Sequence, residues 1–140
     1  MRWILCLMML VSLGFAPAPV YRPKPDPAAD DLALLQGKWL RTMQKFDDKP
    51  AAPDNNTIVA FEKSAFIFPA IRYQITLDIG EGKRFMYLQD NNKPKAYVAL
   101  YRISGDELIL CFSQKNGVLP QSMDGGPGMY IYTFKRGPKP

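Results

Sequence analysis

The residue types that usually carry enzymatic or metal chemistry are few in this sequence, and their spacing argues against most of it. Histidine is absent, so neither a Ser-His or Cys-His nucleophile pair nor an imidazole metal site can form. Cysteine occurs only as Cys6 and Cys111. Cys6 falls in an apolar leader, which leaves one thiol for the folded part, too few for an internal disulfide or a thiolate zinc site. Cys111 lies between Leu110 and Phe112 in an alternating run, where it reads as a small buried hydrophobe rather than a nucleophile. Carboxylates come as the adjacent pairs Asp30-Asp31 and Asp47-Asp48. General acid–base work needs carboxyls set across a cleft and perturbed by burial, whereas neighbours in a polar stretch read as solvated. Arg72-Tyr73, Arg84-Phe85 and Tyr101-Arg102 interleave charge with rings, but successive strand residues face opposite sides and make no shared stacking platform. The sequence therefore leads us to expect no catalytic residue, no cofactor, no metal site and no nucleic-acid partner.

The side chains left to act are aromatic and must be positioned by strands. Tyr97–Ser113 carries the clearest pattern: Tyr97, Ala99, Tyr101 and Ile103 alternate with other residues, Gly105-Asp106 interrupts, and Leu108, Leu110 and Phe112 resume. Period-two runs flanking a Gly-Asp pair signal a β-hairpin, with Ile103 facing Leu108, Tyr101 facing Leu110 and Ala99 facing Phe112. A single hairpin is marginal in water, so its apolar face requires more strands. These are supplied by Lys38–Phe46, by Thr57–Glu62 with Ala65–Phe68, by Ile71–Ile79, by Lys83–Leu88 and by Met129–Arg136. Ile71, Tyr73, Ile75, Leu77 and Ile79 share one face of the fourth of these, opposite Arg72, Gln74, Thr76 and Asp78, which means one wet side and one buried side. Asp47–Asn56 reads as a polar loop. Eight sequential strands with one apolar face predict an all-β, antiparallel, eight-stranded barrel, the size whose interior just fills with side chains or holds one small ligand.

The flanks read differently. Met1-Arg2, an apolar run over Trp3–Phe15 and Ala16-Pro17-Ala18 have the layout of a secretory signal peptide, expected over residues 1–18. Prolines 17, 19, 23, 25 and 27 make residues 19–29 an extended linker. The domain is expected over 30–136, opening with a short helix at Asp30–Gln36 and followed by the tail 137–140. A formal charge of +5, dispersed without a basic block, implies an ordinary solvated surface. The chain is thus expected to be exported to the periplasm, cell envelope or medium, without a transmembrane domain once mature, and monomeric.

Leu35-Gln36-Gly37-Lys38-Trp39, a short helix running into G-x-W at the first strand, resembles the lipocalin entrance motif. Together with the Phe61-Glu62 turn, Tyr101–Phe112 (Y-x-I-x-G-D-x-L-x-L-C-F) and the terminal Lys135-Arg136, it resembles a family of uncharacterised lipocalin-like exported domains abundant in planctomycete bacteria. The resemblance spans Asp31–Arg136 and implies a lipocalin-like barrel but no reaction. It also implies a structural closure by Gly37, Trp39 and Arg136, the tryptophan lying under a basic residue of the last strand: Arg136, or Lys135 if the register shifts by one. A guanidinium over an indole contributes roughly 0.5–2 kcal/mol.

Two functional expectations follow. One is a binding module whose barrel admits a small apolar ligand, lined by Phe61, Phe66, Phe68, Tyr73, Tyr87, Tyr101 and Phe112. The other is a cell-envelope interaction module that binds an envelope protein through its loops, chiefly Asn116–Gly128, its barrel core filled by those same rings.

Overall fold

The structure is a computed structural model that describes residues 23–51, 57–94, 96–115 and 117–138. The expected signal peptide, the first part of the expected linker, Asn116 and the last two residues of the tail lie outside the described residues. The chain forms one helix, α1 (Pro27–Leu35), and nine strands: β1 (Gly37–Phe46), β2 (Lys49–Ala51), β3 (Ile58–Glu62), β4 (Ala65–Phe68), β5 (Ile71–Gly80), β6 (Lys83–Asp90), β7 (Ala96–Ser104), β8 (Glu107–Ser113) and β9 (Met129–Arg136).

Eight of these strands close on themselves. From β3 to β9 each strand pairs antiparallel with the next, and β1 pairs with β3 on one edge and β9 on the other. Such an up-and-down barrel leaves no unpaired edge strand. The hairpin β7–β8 holds the pairs Ile103–Leu108, Tyr101–Leu110 and Ala99–Phe112, turned by Gly105 at φ 59°, as the alternation predicts. Because β1 is long, its two halves have different partners on the β3 side. Gly37–Leu40 pair with β3, while Gln44–Phe46 pair with the ninth strand, β2. That short strand lies in the segment expected as loop. Asp47 and Asp48 adopt positive φ of 51° and 60°, and aspartate tolerates this conformation well enough to make a two-residue hairpin there. A bulge between Arg41 and Met43 bends β1 where it passes from one register of β9 to the next.

The helix starts earlier than expected, at Pro27 rather than Asp30. Asp26 is its N-cap and accepts a hydrogen bond from Ala28 N at 3.0 Å. Proline at the first helical position costs no bond, so Asp26-Pro27 opens a helix although it belongs compositionally to the proline-rich stretch. The helix packs against β5 and β7 at the end of the barrel where the β3–β4, β5–β6 and β7–β8 turns lie. Leu35 is fully buried there beside Trp39, Val59, Phe61, Leu108 and Phe134.

The last turn of α1 is fastened by side chains from the barrel. Trp39 Nε1 donates to Leu35 O at 2.7 Å. Arg136 donates to Leu34 O at 2.7 Å and to Gln36 O at 3.2 Å, and its guanidinium lies 4.3 Å from the centre of the Trp39 ring. Helix C-terminal carbonyls have no partners within the helix, and a cation there also opposes the dipole. Arg136 is directly paired with Trp39 across β1 and β9, so the register assigns this place to Arg136 and not to Lys135. Gln36 receives Lys63 N at 2.6 Å and donates to Lys63 O at 2.9 Å, which ties the helix end to the β3–β4 turn. Gly37 takes a φ of 108° between helix and strand, a backbone state that side-chain-bearing residues rarely adopt.

A second apolar cluster lies on the outside of the barrel. Leu100, Cys111 and Ile131 point outward yet are buried, because residues 117–128 fold over them with Met123 packed inward. The strap is fixed at its ends. Gly128 N donates to the Asp47 carboxylate, and Gln114 N donates to Gly128 O at 2.8 Å. Val118 and Leu119 stay exposed, whereas Pro120 is fully buried and Met123 packs on the cluster.

Trp39→Ala should destabilise the chain by about 3–5 kcal/mol, the usual range for losing a fully buried large ring. Arg136→Met, which keeps the aliphatic stem, should cost about 1–2 kcal/mol. Urea unfolding followed by circular dichroism measures both, and a Trp39→Ala midpoint equal to that of the parent would contradict the closure described here.

Candidate functional site

The opposite end of the barrel, where the β4–β5, β6–β7 and β8–β9 connections lie, is not filled. Inward-facing residues near the ends of six strands surround a cavity of about 400 Å³. β4 contributes Phe66 and Phe68, β5 Ile71 and Tyr73, β6 Leu88, and β7 Tyr97 and Ala99. β8 supplies Leu110 and Phe112 and β9 Tyr130 and Tyr132, with Ser113 and Gln114 at the rim.

Seven of the lining residues are aromatic, and their rings touch in series. Tyr97 meets Tyr73 edge-on at 6.1 Å between centroids, and Tyr73 lies 6.3 Å from Phe66 at a shallow angle. Phe66 meets Phe68 at 5.9 Å, and Phe68 faces Tyr132 at 6.5 Å across the barrel. Tyr132 meets Phe112 at 5.0 Å, and Phe112 stacks on Tyr130 at 5.4 Å. Offset and edge-on contacts at these spacings are the favoured geometries for aromatic pairs. The belt breaks between Tyr97 and Phe112, where Ala99 stands. Ala99 is fully buried, paired with Phe112 on one side and Met86 on the other. It offers a methyl group where its inward neighbours Tyr97 and Tyr101 offer rings.

The cavity wall carries no Lys, Arg, Asp or Glu among the described residues. Two ionisable side chains stand behind it. Arg41 is buried, its guanidinium 5.8 Å from the Phe68 ring centre and 5.2 Å from that of Tyr132, and Nη2 donates to Thr57 Oγ1 at 2.9 Å. Asp90 is buried beside Tyr73 on the paired strand, where its Oδ1 receives Asn92 N at 2.9 Å. Burial pushes the Tyr73 phenol above its ordinary value of 10.0, and Tyr97 and Asp90 push it further. It therefore stands in the cavity wall as a neutral donor at neutral pH.

Of the seven rings expected to line a site, the structure brings together Phe66, Phe68, Tyr73 and Phe112. Three lie elsewhere. Phe61 is fully buried below the cavity, stacked on Phe66 at 4.7 Å. Tyr87 is 37% exposed on the outer face, between the inward Met86 and Leu88 and paired with Thr76 and Val98. Strand parity forbids it from sharing the inside with them. Tyr101 is inward but belongs to the helix end, where its hydroxyl donates to Asp31 Oδ2 at 2.8 Å. Three lining rings, Tyr97, Tyr130 and Tyr132, were not among the expected set. Tyr97 shares the parity of Tyr101 and could have been read from the alternation. Tyr130 and Tyr132 are defined as inward only by their pairing with Phe112 and Leu110.

Asp31 also departs from the sequence expectation. Read as solvated, it is only 7% exposed and accepts both Tyr101 Oη and Arg84 Nε, the latter at 2.7 Å. The earlier start of α1 places Asp31 inside the helix, from which it reaches Arg84 of β6 and Tyr101 of β7. Burial pushes the Tyr101 phenol far up, the Asp31 hydrogen bond and charge push it further, and Arg84 pulls it back a little. The Cys111 thiol under the strap is likewise raised by burial and by Asp124, with a Gly125 hydrogen bond acting the other way.

Compared with protein-family models, with curated proteins and with solved structures, the chain finds no match.

Tyr101 and Tyr73 hold their protons more tightly folded than unfolded. Their contribution to stability is thus complete below the ordinary tyrosine value of 10.0 and is lost progressively as pH rises from there through the raised values of the folded state. Unfolding free energy should fall from about pH 9.5 upward. Tyr101→Phe should flatten that decline and lower stability near neutral pH by about 1–3 kcal/mol, since buried Asp31 loses a donor. Urea titrations across pH 7–11 would check both, and an identical alkaline slope in parent and variant would contradict the assignment.

Proposed function

We propose that this chain is an exported, lipocalin-like carrier or sensor domain that holds one small apolar molecule in the open end of its barrel. The observation that carries the reading is the cavity of about 400 Å³ walled by seven rings. Its size falls within the roughly 300–1,000 Å³ typical of small-molecule sites, and its makeup is the usual one of apolar walls with a few polar groups. Exposing so many rings on a cavity wall forgoes packing that a larger residue at position 99 would supply, and such a loss is more readily understood where a ligand restores it. The division of the molecule supports the same reading. The helix end is tied down by hydrogen bonds and by Arg136 over Trp39, so the other end is free to be shaped for binding. Export is inferred from the leader at residues 1–18, and the barrel then meets its ligand outside the cytoplasm. The cavity also favours this reading over the filled-core interaction module, whose rings would have to occupy the interior themselves.

Titration with N-phenyl-1-naphthylamine, a neutral probe that brightens in apolar surroundings, should give saturable uptake of one molecule per chain. Ala99→Phe should restore the missing ring and weaken uptake by at least about tenfold, equivalent to about 1.4 kcal/mol. Absence of saturable uptake by the folded parent would overturn the proposal, as would unchanged uptake by a folded Ala99→Phe variant.

A further inference from the structure

We infer that the cavity selects uncharged, flat ring compounds bearing a hydroxyl or carbonyl group, over carboxylates and over flexible alkyl chains. This rests on the cavity being a ligand site, and it follows from three properties of its wall.

The first is charge. With no ionised side chain among the described lining residues, an incoming carboxylate would surrender its water without receiving a counter-ion, a severe penalty in an apolar enclosure. Arg41, which is not part of the wall, offsets only part of that penalty. It stands behind the rings of Phe68 and Tyr132, with Nη2 committed to Thr57. Buried Asp90 behind Tyr73 adds repulsion toward an anion.

The second is shape. The belt combines near-parallel and edge-on ring pairs, with Phe68 and Tyr132 at 26° and Tyr73 and Tyr97 at 89°. A flat conjugated ring can continue this series by stacking or edge contact, and it arrives rigid. An alkyl chain of similar area gains no such geometry and loses its rotational freedom on entry.

The third is polarity. Tyr73, Tyr97 and Tyr130 bring phenol hydroxyls to the wall, and Ser113 and Gln114 bring a hydroxyl and an amide to the rim. These groups both donate and accept, and so suit a ligand hydroxyl or carbonyl. None of them compensates a full charge as an arginine or lysine would.

The test is calorimetric titration of the full chain at pH 7.5 with 2-naphthol, 2-naphthoate, 1-decanol and naphthalene, alongside N-phenyl-1-naphthylamine. Naphthol should bind at least about tenfold more tightly than naphthoate or decanol. A combined Tyr73→Phe, Tyr97→Phe, Tyr130→Phe variant, which keeps every ring, should weaken naphthol by roughly 2–12-fold while leaving naphthalene within about twofold. Binding of naphthoate or decanol as tight as that of naphthol would overturn the selectivity and leave the site standing. So would uptake of the neutral dye without any of naphthol. Unchanged naphthol affinity in the folded triple variant would remove the hydrogen-bonding role of the phenols. Failure of every probe, the dye included, would remove the site itself.

Discussion

Arg136 joins three parts of the chain that are far apart in sequence. Its guanidinium covers the Trp39 ring on β1, caps the end of α1 through Leu34 O and Gln36 O, and reaches Asp106 in the β7–β8 turn at 3.2 Å. The strand that carries it is the last in the chain, and that strand's pairing with β1 closes the barrel. Closure therefore waits on contacts between the two ends of the sequence, which are the entropically costliest to make. An arginine suits the position because its planar fork can stack and donate in several directions at once, as a lysine ammonium cannot. With that corner fixed, every strand between β3 and β9 has both neighbours, and the rest of the barrel needs no further fastening.

The two ends of the barrel solve opposite problems. At the helix end, polar groups are matched: the buried indole N–H with Leu35 O, the buried Asp31 carboxylate with Tyr101 and Arg84, and the exposed Lys63 backbone with Gln36. Such a network rigidifies and specifies one arrangement. At the other end the wall is made of rings in mutual contact, with their polar atoms confined to phenols. Rings held by their neighbours do not need a filled interior to stay in place, and this lets a cavity persist beside Ala99.

Much of this architecture was legible in the sequence. The hairpin at Gly105-Asp106, its register and the eight-strand count follow from period-two alternation, because a strand's parity decides which side of a closed sheet each residue faces. Parity also marks where the reading failed. Tyr87 sits between two inward residues and had to point out, yet its ring made it an attractive candidate. Tyr130 and Tyr132 could be assigned only once β8 and β9 were paired, a relation between segments that no single strand encodes. The strand Lys49–Ala51 and the buried Asp31 were hidden by local composition. Prolines and aspartates suggested loop and linker, where in fact Asp26-Pro27 starts a helix and Asp47-Asp48 turns a hairpin. Ala99 was seen as one more apolar residue. Its importance is a matter of volume, which alternation does not report.

The strap over the outer face has a consequence for how the molecule's motions can be followed. Gly125 approaches the sheet so closely, at φ 91°, that an added Cβ would stand 2.8 Å from Ile131 Cδ1, and beneath it lies Cys111, wholly covered. Among the described residues this is the only thiol. Reagents gain access to it when the strap lifts or the whole barrel opens, and these two events differ in their dependence on denaturant. Cys111 is thus a native reporter of partial opening: its modification rate distinguishes excursions of the strap from loss of the fold.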